Sequence, residues 1–205
     1  MVELTGEDKK YIDNTKTEVI PGVIFDHIKF LDNRFGEGSG EKVIKEMASL
    51  GYDLDVEEIK NKYSVPASLF IAFLVVGKRL FDMNDEDMRQ MGKEEARFSF
   101  ILRFISRFLV SLKTIMKNCD TFWKKYFPEG GEMCLVSFEE EERKIVVELS
   151  DFVGHPDYCR FLEGYITQLF RLASGKEGEV REEGCYFEDV FNQDKEAKHR
   201  FVINW

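Results

Sequence analysis

Apolar residues recur at helical spacing through the first half of the chain and at alternate positions in much of the second, and this change of period predicts the architecture. After a polar, charged opening, Pro21 and Gly22 punctuate the chain. Val23, Ile24, His27, Ile28 and Leu31 then share one side of a helix that ends in the glycine-rich run from Gly36 to Gly40. Ser39 is placed to cap a second helix, with Val43, Ile44, Met47 and Leu50 as its stripe and Gly51 as its stop. A short acidic helix over residues 53–62 comes next. Pro66 leads into a helix that is apolar on nearly every side from residue 69 to 80, as expected of an element buried in the core or against a partner subunit. Asn84 caps a further short helix, and Gly92 precedes the longest one, running from residue 93 to about 118 with Phe98, Ile101, Leu102, Ile105, Leu109, Leu112 and Met116 on its apolar side.

Beyond Pro128 the period falls to two. Residues 132–138 and 143–149 read as strands joined by the acidic turn from Glu139 to Glu142. Residues 157–174 read as a helix with Phe161, Leu162, Tyr165, Leu169 and Phe170 facing in, and residues 179–187 and 199–205 as a second strand pair. The predicted class is α+β, an N-terminal helical part followed by a four-stranded antiparallel sheet crossed by a helix. At 205 residues one domain is expected, with residues 1–20 as an N-terminal arm, 21–127 as the helical part and 128–205 as the sheet with its crossing helix.

Charge and composition narrow the function. With 29 basic against 39 acidic residues the net charge is −10, which repels phosphate backbones and anionic membranes, so neither nucleic acid nor membrane is expected as a partner. The opening lacks a signal-peptide pattern and no run of about 18 apolar residues occurs, which points to a cytoplasmic protein. Four cysteines in a reducing compartment read as thiols or ligands. Cys119 and Cys134 are expected to be small buried hydrophobes, and His27 a satisfied core or edge histidine. No Gly-rich phosphate loop, dinucleotide fingerprint or Ser/His/Asp grouping is present, so no enzyme activity is expected.

The last third holds the candidate chemistry. Cys159 on a helix is followed by Glu182, Cys185 and His199, and thiolate, carboxylate and imidazole are the side chains that zinc binds. Glu182 and Cys185 would face opposite sides of an unbroken strand, but Gly184 allows a bulge that brings them together. His155, at the entrance of the helix before Pro156, is a second candidate for the fourth position. The alternative for the same residues is two buried cysteines beside a surface glutamate and histidine. A bound metal would form a closed structural site tying helix to sheet.

This order resembles the 4-vinyl-reductase-type small-molecule-binding domain, in the fold group that includes the haem NO-binding (H-NOX) domain and the TRAPP vesicle-tethering subunits. In the phenol-sensing members a cysteine on the C-terminal helix, a Glu-x-x-Cys and a final cysteine before a Phe-Val strand hold a structural zinc. Cys159, Glu182 and Cys185 match three of these ligands, and His199, before Phe201-Val202, stands in place of the last cysteine. The stretches from Ile20 to Phe25 and from Phe35 to Glu37 are similar to the opening of H-NOX and related domains. The resemblance implies a sensory domain, generally dimeric, with an apolar pocket between the long helix and the sheet. Phe98, Phe104, Phe108, Trp123, Phe138 and Tyr165 are expected near a small hydrophobic ligand, and the signal would pass to a partner. The competing reading is a non-catalytic dimeric scaffold of TRAPP type, with the helix over residues 69–80 as its dimer face. A haem-based gas sensor ranks third. The H-NOX pattern has an axial histidine on a central helix and a Tyr-x-Ser-x-Arg motif; this chain has no histidine between Gly36 and Gly154, so zinc and no haem is the expectation.

Overall fold

The computed structural model describes residues 2–97, 111–187 and 198–205. The opening segment is more than an arm. Thr5 and Asp8 exchange hydrogen bonds in a capping box that starts helix α1 (Gly6–Asn14), and α1 buries Ile12 completely. Two short strands missed by the apolar pattern, β1 (Glu18–Val19) and β2 (Val65–Pro66), then pair antiparallel. They bracket α2 (Pro21–Phe35), where Pro21 occupies the first turn and its missing N–H costs no helical bond. Helix α3 (Ser39–Ser49) begins one residue earlier than expected for a Ser39 cap. Gly38, at φ +82°, takes the cap position, and the Ser39 hydroxyl donates to the Gly36 carbonyl. A single turn, α4 (Val56–Ile59), is capped by Asp55.

Helix α5 (Ala67–Leu80) is the centre of the helical part. Every residue from Phe70 to Gly77 is buried, and α1, α2 and α3 surround it. Each large side chain removed from water there contributes about 1.5–3 kcal/mol. Its all-round apolarity is therefore satisfied within one chain and needs no dimer face to explain it.

Helix α6 (Asp85–Ala96), capped by Asn84, runs straight through Gly92. The expected break at Gly92 is corrected by its neighbour. A Cβ at Gly92 would stand 2.1 Å from the Phe161 carbonyl oxygen, and one at Gly164 would stand 1.9 Å from that of Arg89. These two glycines let α6 and the later helix α9 (Pro156–Ser174) cross with their backbones almost touching. Residues 98–110, half of the expected long helix, lie outside the described residues. Its C-terminal end is α7 (Leu112–Lys117), capped by Ser111, and a further helix that the pattern did not predict, α8 (Cys119–Tyr126), follows Asn118.

The sheet contains β3 (Glu132–Glu139), β4 (Lys144–Ser150), β5 (Glu179–Gly184) and β6 (Lys198–Asn204) in the order β3-β4-β6-β5, with all pairs antiparallel. Ile145, Val147 and Leu149 of β4 point inward at alternate positions, and Phe201 and Ile203 of β6 do the same. They join α5 and α9 in one continuous core. The predicted α+β class, with helices first and a crossing helix on an antiparallel sheet, is the architecture found. Among the described residues no helix is long and apolar enough to cross a membrane.

Candidate metal centre and apolar cavity

The register of β5 against β6 slips between Glu182 and Gly184, so the strand bulges where Gly184 stands. The bulge turns Glu182 and Cys185 to the same side, toward His199 of β6 and Cys159 of α9. One donor atom from each of these four residues lies within 4.8 Å of the other three. The Cys159 and Cys185 sulfurs are 4.0 Å apart, and they lie 3.5 Å and 3.9 Å from His199 Nδ1. Tetrahedral zinc with Zn–S of about 2.3 Å and Zn–N of about 2.0–2.1 Å would set S···S near ~3.8 Å and S···N near ~3.5 Å. These three separations lie within a few tenths of an ångström of those values, whereas Glu182 Oε1, 2.9 Å from His199 Nδ1, stands at hydrogen-bond distance, closer than the ~3.4 Å of an oxygen and a nitrogen sharing one zinc.

The surroundings prepare the donors. His199 Nε2 lies 3.0 Å from the Phe152 carbonyl, which can only accept, so Nε2 carries the proton and Nδ1 turns a lone pair toward the thiols in the neutral ring. Glu182 places Oε1 2.9 Å from that Nδ1 and receives Arg160 on Oε2 at 2.8 Å, with its side chain only 1% exposed. Arg160 also reaches the buried Glu163, whose other oxygen accepts from Arg89. With no cation in place, burial pushes the Cys159 thiol well above the ordinary range. Hydrogen bonds from Cys159 and His199 draw Cys185 down to about 6 against its burial. Burial lowers His199, but Cys185 and Glu182 outweigh it and hold the imidazole at about 9. The cluster thus keeps one thiolate and one imidazolium, and zinc would replace the imidazolium proton as the counter-charge. His155, the other candidate for the fourth position, stands apart. It bonds Asp8 through Nε2 and caps α9 through Nδ1.

A cavity of about 80 Å³ opens beside α9, walled by α2, α6, α7, α8, α9 and the sheet. Trp123 and Tyr165 line it, as expected. Phe138 does not. It sits farther along β3 with its ring 6.4 Å from that of Trp205, a correction to the predicted pocket. Phe98, Phe104 and Phe108 lie outside the described residues. Cys119 is half-buried on the cavity wall with its thiol 3.0 Å from the Met133 carbonyl, whereas Cys134 is exposed, contrary to its expected burial.

Glu95 is the one charged side chain among the described lining residues, and no sequence pattern singled it out. Its carboxylate approaches His27 Nδ1 at 2.8 Å, and its side chain is 9% exposed. His27 is fully buried, with Nδ1 also 2.9 Å from the Val23 carbonyl, and its ring packs on Phe70 and Phe161. The expectation of a core histidine holds, but not that of a satisfied one, because Nε2 has no hydrogen-bond partner among the described residues. Burial lowers His27 and Glu95 outweighs it, leaving the imidazole raised; burial raises Glu95 despite His27. Both directions favour the protonated form of each group.

No protein-family model and no curated protein sequence matches the chain. Solved structures do match. An H-NOX protein from K. algicida in its unliganded Fe(II) form superposes with a TM-score of 0.59 at 14% identity, covering 90% of this chain and 95% of that one. An oxygen-binding H-NOX domain related to soluble guanylate cyclases, in its oxygen complex, gives 0.55 at 13%, covering 90% and 94%. A structure from work on haem distortion in the H-NOX family gives 0.57 at 14%, covering 91% and 94%. The fold is therefore H-NOX-like.

These neighbours overturn the expectation of no haem, because the solved proteins that share this fold include ones described by their haem or its iron. In this chain the described cavity walls carry no imidazole. The donors they offer an iron are the Cys119 thiol, the Met116 and Met133 thioethers, the Tyr126, Tyr158 and Tyr165 hydroxyls and the Glu95 carboxylate, while His27, His155 and His199 occupy the buried contacts described above.

Proposed function

We propose that the chain is a non-catalytic small-molecule-binding sensory domain whose apolar cavity takes the ligand and whose Cys159, Glu182, Cys185 and His199 hold a structural zinc. The observation that carries this reading is that α9 serves both sites. Cys159 turns to the metal cluster, while Tyr158, Phe161, Leu162 and Tyr165 of the same helix line the cavity. Zinc, when bound, would offset two of the three negative charges of two thiolates and a carboxylate, with Arg160 against Glu182 balancing the third, and fasten α9 to the bulged edge of the sheet. Occupancy of the cavity would then bear on a helix fixed at one end, and a shift of that helix could be read by a second copy or a separate partner. The H-NOX-like fold and the resemblance to the 4-vinyl-reductase-type domain support the reading.

Elemental analysis with native mass spectrometry of protein purified without chelator tests it. About one zinc per chain is expected, lost in both Cys159→Ser and Cys185→Ser. No metal in the unmodified protein would remove the zinc centre. The absorption spectrum of the same sample reads haem directly, and a haem band that persists after purification would make haem the occupant of the cavity.

A further inference from the structure

The lining of the cavity says more about its ligand than that it is apolar. We propose that the cavity selects small apolar amines and that Glu95 receives the amine head group. The inference rests on the reading of this cavity as the ligand site. A hydrocarbon would leave the Glu95 carboxylate at the wall without water and without a new partner, which is unfavourable for a polar group in an apolar site. A carboxylate ligand would meet like charge, because the described lining holds no basic side chain. An alcohol can donate a hydrogen bond to Glu95 but cannot serve as its counter-charge. An amine can do both.

The partner already present makes the exchange balanced. Among the described residues Glu95 has one ionic partner, His27, and histidine is a cation only while it keeps its second proton. A neutral amine that enters while the His27–Glu95 pair carries a proton takes that proton. A new N–H bond forms on the ligand, the bond holding that proton in the pair breaks, and the product is an ammonium against the Glu95 carboxylate with a neutral His27. An amine that arrives already charged keeps its proton, and the pair releases its own to solvent. In either case the buried site ends with one cation and one anion. The rings of Tyr126, Trp123 and Phe161 on the walls accommodate a cation with an apolar body.

Isobutylamine, isobutanol and 2-methylbutane share one shape and differ in the head group, so they separate these terms. Binding is read on the indole N–H signal of Trp123, which lines the cavity, with Trp205, packed on Phe170 away from it, as the internal reference. Isobutylamine should bind at least about tenfold tighter than isobutanol, because the alcohol can match its hydrogen bond to Glu95 but not its charge. Glu95→Gln, which keeps the shape and removes the charge, should abolish that preference. If Glu95→Gln does not fold, the three-ligand comparison on the unmodified protein decides alone. Equal binding of all three ligands, or a preference for the alcohol, overturns the amine assignment and leaves the ligand cavity standing. No Trp123 response to any of them overturns both.

Discussion

His155 illustrates how one side chain can fill two posts. Its Nδ1 accepts the Asp157 backbone N–H and caps α9, which leaves the proton on Nε2, 3.1 Å from Asp8. Burial holds its pKa below the ordinary 6.5, against the pull of Asp157 and Asp8. Asp8 itself is held below 3.8, because Thr5, His155 and Arg79 together outweigh its burial, so it stays ionised at any mildly acidic pH. These shifts give the linkage a definite sign. As pH falls through 6.5 the unfolded chain takes a proton on this histidine before the folded protein does, and the stability due to the neutral ring is lost below that point. His155→Asn keeps a capping acceptor and removes the Asp8 contact. Wild type should exceed it by about 1 kcal/mol in urea unfolding near pH ~7.5, and the margin should shrink near pH ~5.5, since the other titrating groups are common to both proteins. A margin that widens on acidification would contradict the neutral buried ring.

At the scale of elements, the glycines of α6 and α9 are worth more than their place in a helical pattern suggests. Read along the sequence, Gly92 resembles a breaker, because helix propensity is a local property and the backbone of α9 is not. In three dimensions it is a contact. Gly164→Ala would drive a methyl into the Arg89 carbonyl and should cost about 1–3 kcal/mol or more. Gly22, also helical, has nothing within 4 Å of the same position, and Gly22→Ala should be neutral or gain about 0.4–1 kcal/mol. Urea unfolding of the two variants measures the difference, and similar costs in both would show that the crossing is looser than its geometry. The same distinction explains what the sequence could reveal about the fold. Long periodic stretches such as α2, α5, β4 and α9 were legible because burial of one face repeats along them. Helix α1 and the two-residue strands β1 and β2 were not, since their order comes from a capping box and from pairing between distant segments.

Over the whole molecule, the metal cluster and the cavity were legible to different degrees for a physical reason. Zinc donors belong to few residue types, and a chain with four cysteines and three histidines leaves few ways to combine them; Gly184 supplied the bulge. Glu95 belongs to a residue type common on surfaces, and only its position in line with the buried Met88 and Met91 of α6 hinted that it faces inward. The cluster joins α9 to β5, and among the described residues β5 is the edge of the sheet, paired on one side alone. With zinc bound as proposed, an edge strand held mainly by one ladder and the metal should be the first part to open when the metal leaves. Chelation of the zinc-loaded protein is therefore expected to speed amide hydrogen exchange in β5 and the adjoining end of β6, with α2 and α5 unchanged because their packing does not pass through the cluster. Loss of protection throughout the chain would mean that the zinc holds up the whole fold and not its edge; no change in β5 would mean that the Arg160, Glu163 and Glu182 contacts hold the strand without it.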